Sequence, residues 1–336
     1  MPGGSATSTS GVSVRCRSSG SIESKSRRSE CSMTPVALAE GLGKSYGKFK
    51  ALDGLSLSIN EGEIFGYLGP NGAGKTTTIR LLLDLLRPTE GRVELFGRNP
   101  REGGAELRRR VGYLPGELPL AGRGSGLELL EFLAKVRGGV SKSTITTLAE
   151  RLGVDLTRPV HNLSKGNKQK VGIIQAFMHQ PDLLILDEPT TGLDPLVQQE
   201  FLTMVREAKN NGQTVLMSSH ILSEVQHVGD RVAIIRGGKL VSVSDVATLL
   251  EQAQRRVEIR FADPVDPRHF SALPGTRDVQ VRGATLTCTL DGAADALVKT
   301  AAQHTVINLV CEEADLEEIF LHAYEQEPEE EMHGVR

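Results

Sequence analysis

Residues 69 to 76 read GPNGAGKT, that is Gly69, Pro70, Asn71, Gly72, Ala73, Gly74, Lys75 and Thr76. Glycines at this spacing, closed by lysine and threonine, make a phosphate-binding loop. Successive backbone N–H groups turn inward around a triphosphate, Lys75 adds a positive charge over the β and γ phosphates, and Thr76 offers its hydroxyl to Mg²⁺. Thr77 opens a helical pattern over residues 77–86, whose positive N-terminal end faces the same phosphates. A second chemical cluster lies at residues 183–188, LLILDE. Four apolar residues predict a buried strand that ends in two acids. Asp187 suits Mg²⁺, directly or through water, and Glu188 is placed to orient or deprotonate a water for in-line attack on the γ-phosphate.

These groups need a scaffold that holds strand ends together. Residues 64–68 read as the strand ahead of the phosphate loop. Alternating apolar positions predict strands at 36–42 and 55–59 with a turn near Gly47, and further strands at 91–96 and 111–114, the latter stopping at Pro115 and Gly116. A polar helix is expected over 101–110. From about residue 118 to 181 helical periodicity dominates, which reads as a helical insertion. Strands return at 183–186, 214–217 and 231–235, separated by helices at 195–210 and 221–228. Strands alternating with helices predict an α/β domain with a mostly parallel sheet covered on both faces. Beyond Gly237 and Gly238 the pattern weakens, and residues 246–256 read as a helix or linker. The segment that follows alternates as βαββαβ, with strands at 257–261, 278–282, 285–290 and 306–311, helices at 267–273 and 293–303, and a trailing helix at 316–324. That order predicts a small α+β domain of ferredoxin-like pattern.

The expected organisation is a tail or misassigned start at 1–32, with Met33 as the alternative start, a large domain at 33–245, a linker at 246–256, a small domain at 257–325 and an acidic tail at 326–336. With 336 residues, 39% of them apolar and 24% charged, the chain can bury a substantial core. A net charge of −3 implies no broad basic surface, so no nucleic-acid partner is expected. Cys16, Cys31, Cys288 and Cys311 have no metal-ligand spacing and read as free thiols in a reducing compartment. No apolar run approaches the 18 or more residues of a spanning helix.

Leu163, Ser164, Lys165, Gly166 and Asn167 open the run LSKGNKQK, which precedes a helix expected to begin near Val171. Lying some 20 residues ahead of the Asp187–Glu188 strand, this run resembles the signature segment of ABC-type ATPases, with Ser164 capping the helix and the Gly166 backbone completing an anion-binding terminus. The resemblance implies a P-loop ABC-type ATPase fold with a helical subdomain, ATP and Mg²⁺ as ligands, and a dimer in which each signature closes on the ATP held by the other copy. It also implies roles in chain order. Tyr46 would stack on adenine. Gly192, Leu193, Asp194 and Pro195 match the loop that couples the two sites, with Asp194 as its acid. His220 matches the histidine that contacts the γ-phosphate, beside Glu188 as catalytic carboxylate and Thr76 and Asp187 as metal ligands. These matches run from Tyr46 to His220.

Two positions depart from the family pattern. Where it has glutamine after the strand at 111–114, this chain has Pro115, Gly116 and Glu117, so Glu117 is the candidate to take over that role. Lys165 and Asn167 replace a glycine and a glutamine of the signature, and Lys165 adds positive charge toward the opposing phosphates. The signature form, the PGE loop and the appended segment with Leu316, Glu317, Glu318, Ile319 and Phe320 resemble ATP-binding subunits of the daunorubicin-resistance, antibiotic and exotoxin exporter type. That resemblance implies separate membrane-spanning permease chains, a homodimer or a pairing with a related ATPase, and a location at the cytoplasmic face of the cell membrane. The alternatives are a soluble ABC-type ATPase of DNA maintenance or translation, and a nucleotide-binding module without turnover. A single cassette, no long heptad insertion and no basic surface argue against the first. Glu188 and His220 argue against the second.

Overall fold

The computed structural model describes residues 35–120, 124–252 and 255–312. The segment 1–32, the helix expected at 316–324 and the acidic tail lie outside those residues, as do Cys16 and Cys31. The described chain opens with a long hairpin, β1 (Pro35–Tyr46) and β2 (Phe49–Asn60), turning at Gly47. Both strands run further than the alternation suggested. Register shifts around Ala39 to Lys44 absorb Gly41 and Gly43, which broke the period-2 pattern without ending the pairing.

Next come β3 (Ile64–Leu68), α1 (Lys75–Leu82), β4 (Glu90–Leu95), α2 (Pro100–Arg109) and β5 (Val111–Leu114). The helical block holds α3 (Gly126–Val136), α4 (Lys142–Arg151), a 3₁₀ turn (Val160–Asn162) and α5 (Lys165–Phe177). It is followed by β6 (Leu183–Asp187), α6 (Pro195–Asn210), β7 (Thr214–Ser219), α7 (Leu222–Val228), β8 (Arg231–Arg236), β9 (Lys239–Asp245) and α8 (Val246–Gln252). β4 joins the hairpin in an antiparallel sheet of order β2-β1-β4, and the main sheet has the order β5-β6-β7-β3-β8-β9. Its first five strands are parallel and β9 is antiparallel to β8.

β3, β6 and β7 are buried along their whole length, as continuous apolar strands covered on both faces should be. One core, with Leu184, Leu186, Phe201, Met217 and Ile174, packs the main sheet against the helices. A second, with Leu42, Leu55, Phe65, Tyr67, Ile79 and Leu216, fills the space between the two sheets. No helix among the described residues is long and apolar enough to cross a membrane.

Besides the hairpin strands, three elements depart by more than two residues from their sequence-based reading. Helix α1 starts at Lys75 rather than Thr77, because Gly74 takes a left-handed turn that lets the helix begin on the loop itself, and it stops at Leu82 rather than 86. Helix α5 begins at Lys165 rather than near Val171, so the LSKGNKQK run forms its cap and first turns. Strand β9 was not anticipated. Residues 246–252, read from the sequence as helix or linker, form a helix whose Val246 is buried in the core of the main sheet.

The remaining elements are β10 (Arg255–Phe261), α9 (Arg268–Ser271), β11 (Thr276–Arg282), β12 (Thr285–Leu290), α10 (Asp295–Ala301) and β13 (Val306–Glu312). They make an antiparallel sheet of order β11-β12-β10-β13 with its own core of Val257, Ile259, Phe261, Phe270, Leu286 and Leu297. Cys288 is buried in that core and Cys311 is exposed, both as free thiols.

Candidate nucleotide site

β3, β6 and β7 are hydrogen-bonded neighbours running in parallel, so their C-terminal ends fall side by side. Ligands of open α/β sheets bind outside those ends. From β3 the chain enters the loop 69–74 and turns into α1. Gly74 occupies the N-cap with φ 112°, a conformation a side chain would strain, and a Cβ there would lie 2.7 Å from Leu52 Cδ2. No side chain caps α1. Its first N–H groups are therefore free to meet an anion, as the sequence implies. Pro70, Asn71 and Gly72 are exposed, Gly69 and Ala73 are buried, and Thr76 and Thr77 are half-buried on the first turn.

The side chain of Lys75 is only 5% exposed. Its Nζ donates to the Gly69 carbonyl at 2.5 Å and to the Pro70 carbonyl at 3.3 Å, and it lies 3.1 Å from Glu188 Oε1. That last contact is an ion pair without hydrogen-bond alignment, since Glu188 Oε1 is a buried oxygen with no hydrogen-bond partner. Glu188 Oε2 is 2.6 Å from His220 Nδ1, which follows β7 directly. One carboxylate, 18% exposed, thus faces the loop lysine on one side and a 45% exposed histidine on the other.

Glu188 holds a left-handed backbone with φ 49°, unusual for a non-glycine residue. The conformation is fixed because the Glu188 N–H donates to both the carbonyl and the hydroxyl oxygen of Ser218. Strain of this kind costs about 1–3 kcal/mol and gathers where a side chain must be aimed. Asp187 ends β6 fully buried. Its Oδ1 accepts from Ser218 Oγ at 2.6 Å, and its Oδ2 has no hydrogen-bond partner. Among the described residues three buried side-chain polar atoms lack a partner, and two of them, on Asp187 and Glu188, belong to this site. Glu188 Oε1 has the Lys75 charge beside it, whereas the Asp187 Oδ2 at the strand end has no partner and suits a cation or a water that accompanies the ligand. Asp187 also acts on its neighbour, since burial first and the Asp187 charge second push the Tyr113 hydroxyl pKa up, while Arg80 opposes them.

The other candidates fall around this centre. Tyr46 ends β1, 48% exposed, with Lys44 Nζ 5.0 Å from its ring centroid. Gly116 is the residue of the 115–117 turn that comes against Asp187, for a Cβ on it would sit 3.4 Å from Oδ2. Glu117, the expected substitute, is exposed, and no contact ties it to Asp187. Ser164 caps α5 by accepting from the Asn167 N–H at 3.3 Å, with Leu163 buried and Lys165 exposed. Gly166 lies under the Gly192 carbonyl, where a Cβ would be 2.6 Å from the oxygen. Asp194 caps α6 through the Val197 N–H and lies 4.0 Å from Lys170 Nζ.

Two contributors escaped the sequence reading. Gln169 on α5 is buried and donates to the Pro189 carbonyl at 2.9 Å, tying the signature helix to the turn after Glu188. Glu224 on α7 is the other. Neither stands out by residue type in a helix.

A family model described as "ABC transporter" matches residues 52–191. The bacitracin transport ATP-binding protein BcrA of Bacillus licheniformis is 38% identical over 234 residues, covering 69% of this chain and 76% of that protein. The chain belongs to the ABC transporter ATP-binding family. The lantibiotic transport ATP-binding protein SrtF of Streptococcus pyogenes is also 38% identical, over 204 residues, 60% of this chain and 87% of that protein. A solved ATP-binding subunit of an ABC transporter superposes with a TM-score of 0.59 at 29% identity, covering 64% of this chain and 91% of the other. The P-loop fold of the ABC ATPases is thereby shown for the large domain, and the chain is an ATPase of the family that drives ABC transport; the relatives do not favour a non-transport ATPase.

Proposed function

We propose that this ABC ATPase powers export of antibiotic- or drug-like molecules from the cytoplasmic face of the membrane, together with separate permease chains and a second ATPase, either another copy or a related chain. Relatives named for bacitracin and lantibiotic transport favour that branch. The observation that carries the mechanism is the convergence of Lys75 and His220 on the Glu188 carboxylate.

In this reading the N–H groups of the loop and of the first turn of α1 hold the ATP phosphates, and Lys75 exchanges its carbonyl contacts for the β and γ phosphate oxygens. Glu188 orients a water against the γ-phosphorus and takes its proton as the O–P bond forms and the bond to ADP breaks. His220 holds that carboxylate in line and meets the γ-phosphate. The unpartnered Oδ2 of Asp187 fits a divalent cation, so Asp187 and the Thr76 hydroxyl are the groups that would hold Mg²⁺, which neutralises phosphate charge when bound. Tyr46 takes the adenine. Residues 163–167, with exposed Lys165 adding positive charge, close on the nucleotide of the opposite ATPase, and Asp194 lies on the loop between the two sites. Glu117 takes the place of the missing glutamine by a movement of the 115–117 turn. The order β11-β12-β10-β13 supports a ferredoxin-like reading of the C-terminal segment, as a supporting appendage.

Glu188→Gln keeps the shape and removes the base. Hydrolysis should slow by about 10²- to 10⁴-fold while ATP binding persists and an ATP-held dimer accumulates. That dimer, purified from detergent-solubilised membranes, should bring a polytopic membrane protein with it. Normal hydrolysis by the variant would remove Glu188 from its role, and recovery of ribosomal or DNA-processing proteins in place of a permease would end the export reading.

A further inference from the structure

The C-terminal ends of β6 and β7 are joined by the Glu188 N–H, which donates to Ser218, and by three ties made between side chains alone. Ser218 holds Asp187 at 2.6 Å, and His220 holds Glu188 at 2.6 Å. Both of these use groups that the substrate, its cation or the attacking water must engage during turnover. The third tie is different. Glu224, on α7, is 8% exposed, and its carboxylate accepts from Thr190 Oγ1 at 2.5 Å through one oxygen and from Ser219 Oγ at 2.8 Å through the other. Thr190 stands two residues after Glu188, and Ser219 immediately precedes His220. Ser219 Oγ also accepts from the Ile221 N–H at 2.9 Å, so the same hydroxyl sets the bend that leaves β7.

A buried carboxylate bridging two hydroxyl donors is a short, strong connector, because charge-assisted hydrogen bonds are roughly twice as strong as neutral ones. When ATP draws Lys75 away from Glu188 and His220 shifts toward phosphate, the Thr190–Glu224–Ser219 bridge is the side-chain tie that need not open. We infer that Glu224 is a positioning residue of ATP hydrolysis, fixing the separation of Glu188 and His220 from behind without touching nucleotide. The inference rests on the roles proposed above for Glu188 and His220.

The test is a cycle of variants assayed for steady-state ATP hydrolysis and for equilibrium binding of Mg-ATP. Glu224→Ala should lower kcat by about 10²-fold, the effect expected of misplacing reacting groups by about an ångström. ATP affinity should change by less than about 3-fold, as for a loss confined to the transition state. In a His220→Ala background the same substitution should cost less than about 3-fold more, since groups acting as one unit are not additive. Glu224→Gln, which can accept from one hydroxyl and donate to the other, should stay within about 3-fold of the parent. Thr190→Val and Ser219→Ala should each cost about 10-fold, and they decide the matter if Glu224→Ala does not fold.

The inference is overturned if Glu224→Ala hydrolyses ATP normally, if its loss multiplies in full with that of His220→Ala, or if affinity falls as much as kcat. Should Glu188→Gln and His220→Ala themselves hydrolyse at the parental rate, the reading of the site fails first. Loss in those two with none at Glu224 condemns the positioning role alone.

Discussion

β6 is buried at every residue, whereas β10 alternates buried and exposed positions and β13 is exposed throughout. The main sheet has helices on one face and α1, α2 and the second sheet on the other, so a polar side chain on β3, β6 or β7 has a place only toward a strand end. Asp187, Ser218 and Ser219 lie at those ends, and Glu188 and His220 follow directly. In the C-terminal sheet one face carries no covering element among the described residues, and its polar groups are strewn along the strands, as with Arg256 and Glu258 on β10 and Thr285, Thr287 and Thr289 on β12. The contrast shows how a site acquires strong electrostatics. Double coverage forces charge into one water-poor corner, where interactions are weakly screened, while an open face disperses it into solvent.

The two sheets can be separated by mutation. Leu286→Ala empties a fully buried position in the small core and should cost about 2–5 kcal/mol in the stability of residues 255–312, read by hydrogen exchange. ATP hydrolysis should hold its rate, and a parallel loss would mean that the sheets are energetically one. Gly66→Ala makes the reverse lesion. A Cβ on β3 at this point would lie 2.2 Å from Val225 Cγ1, pushing α7 outward for about 1–3 kcal/mol. Because α7 carries Glu224, turnover should fall as well as Tm. An unchanged kcat with a lowered Tm would show that the corner tolerates displacement of its backing helix.

The smallest effect concerns His179. Burial, and next the Arg137 charge, bring its pKa from 6.5 down to about 4, against the opposing pull of the Val111 carbonyl. The folded state therefore keeps His179 neutral where the unfolded chain takes up a proton. Its contribution to stability is complete above pH 6.5 and is lost as pH falls toward 4. Tm should decline across that window, and His179→Gln should flatten the decline. An equal slope in the variant would place the effect in other groups.

Much of the nucleotide corner was legible because it is written in consecutive residues. The apolar run ahead of Asp187 and Glu188 gives strand β6 and the placing of its two acids together, and the loop motif gives β3 and the start of α1 to within two residues. The rest depends on contacts distant in the chain. Glu224 looks like an ordinary acid in the first turn of a helix, favourable there for the helix dipole alone. Only the parallel pairing of β6 with β7 brings Thr190 and Ser219 within its reach. Strand β9 follows two glycines that break the pattern, and its valine–serine alternation over residues 241–244 is too short to stand as a strand until β8 supplies a partner. The capping residue Ser164 was recognised, but the glycine and asparagine behind it masked the first turns of α5.

Gly166 beneath the Gly192 carbonyl, with Gln169 holding Pro189, pins the segment that would face a neighbour's nucleotide to the segment that works on the chain's own. A chain built this way cannot relax one of the two without dragging the other. Set two such chains face to face, as proposed here, and each nucleotide would touch a segment pinned to the turn that works on the other. The loss of one γ-phosphate would then be felt on the far side, and the pair would keep time as one escapement rather than as two independent clocks.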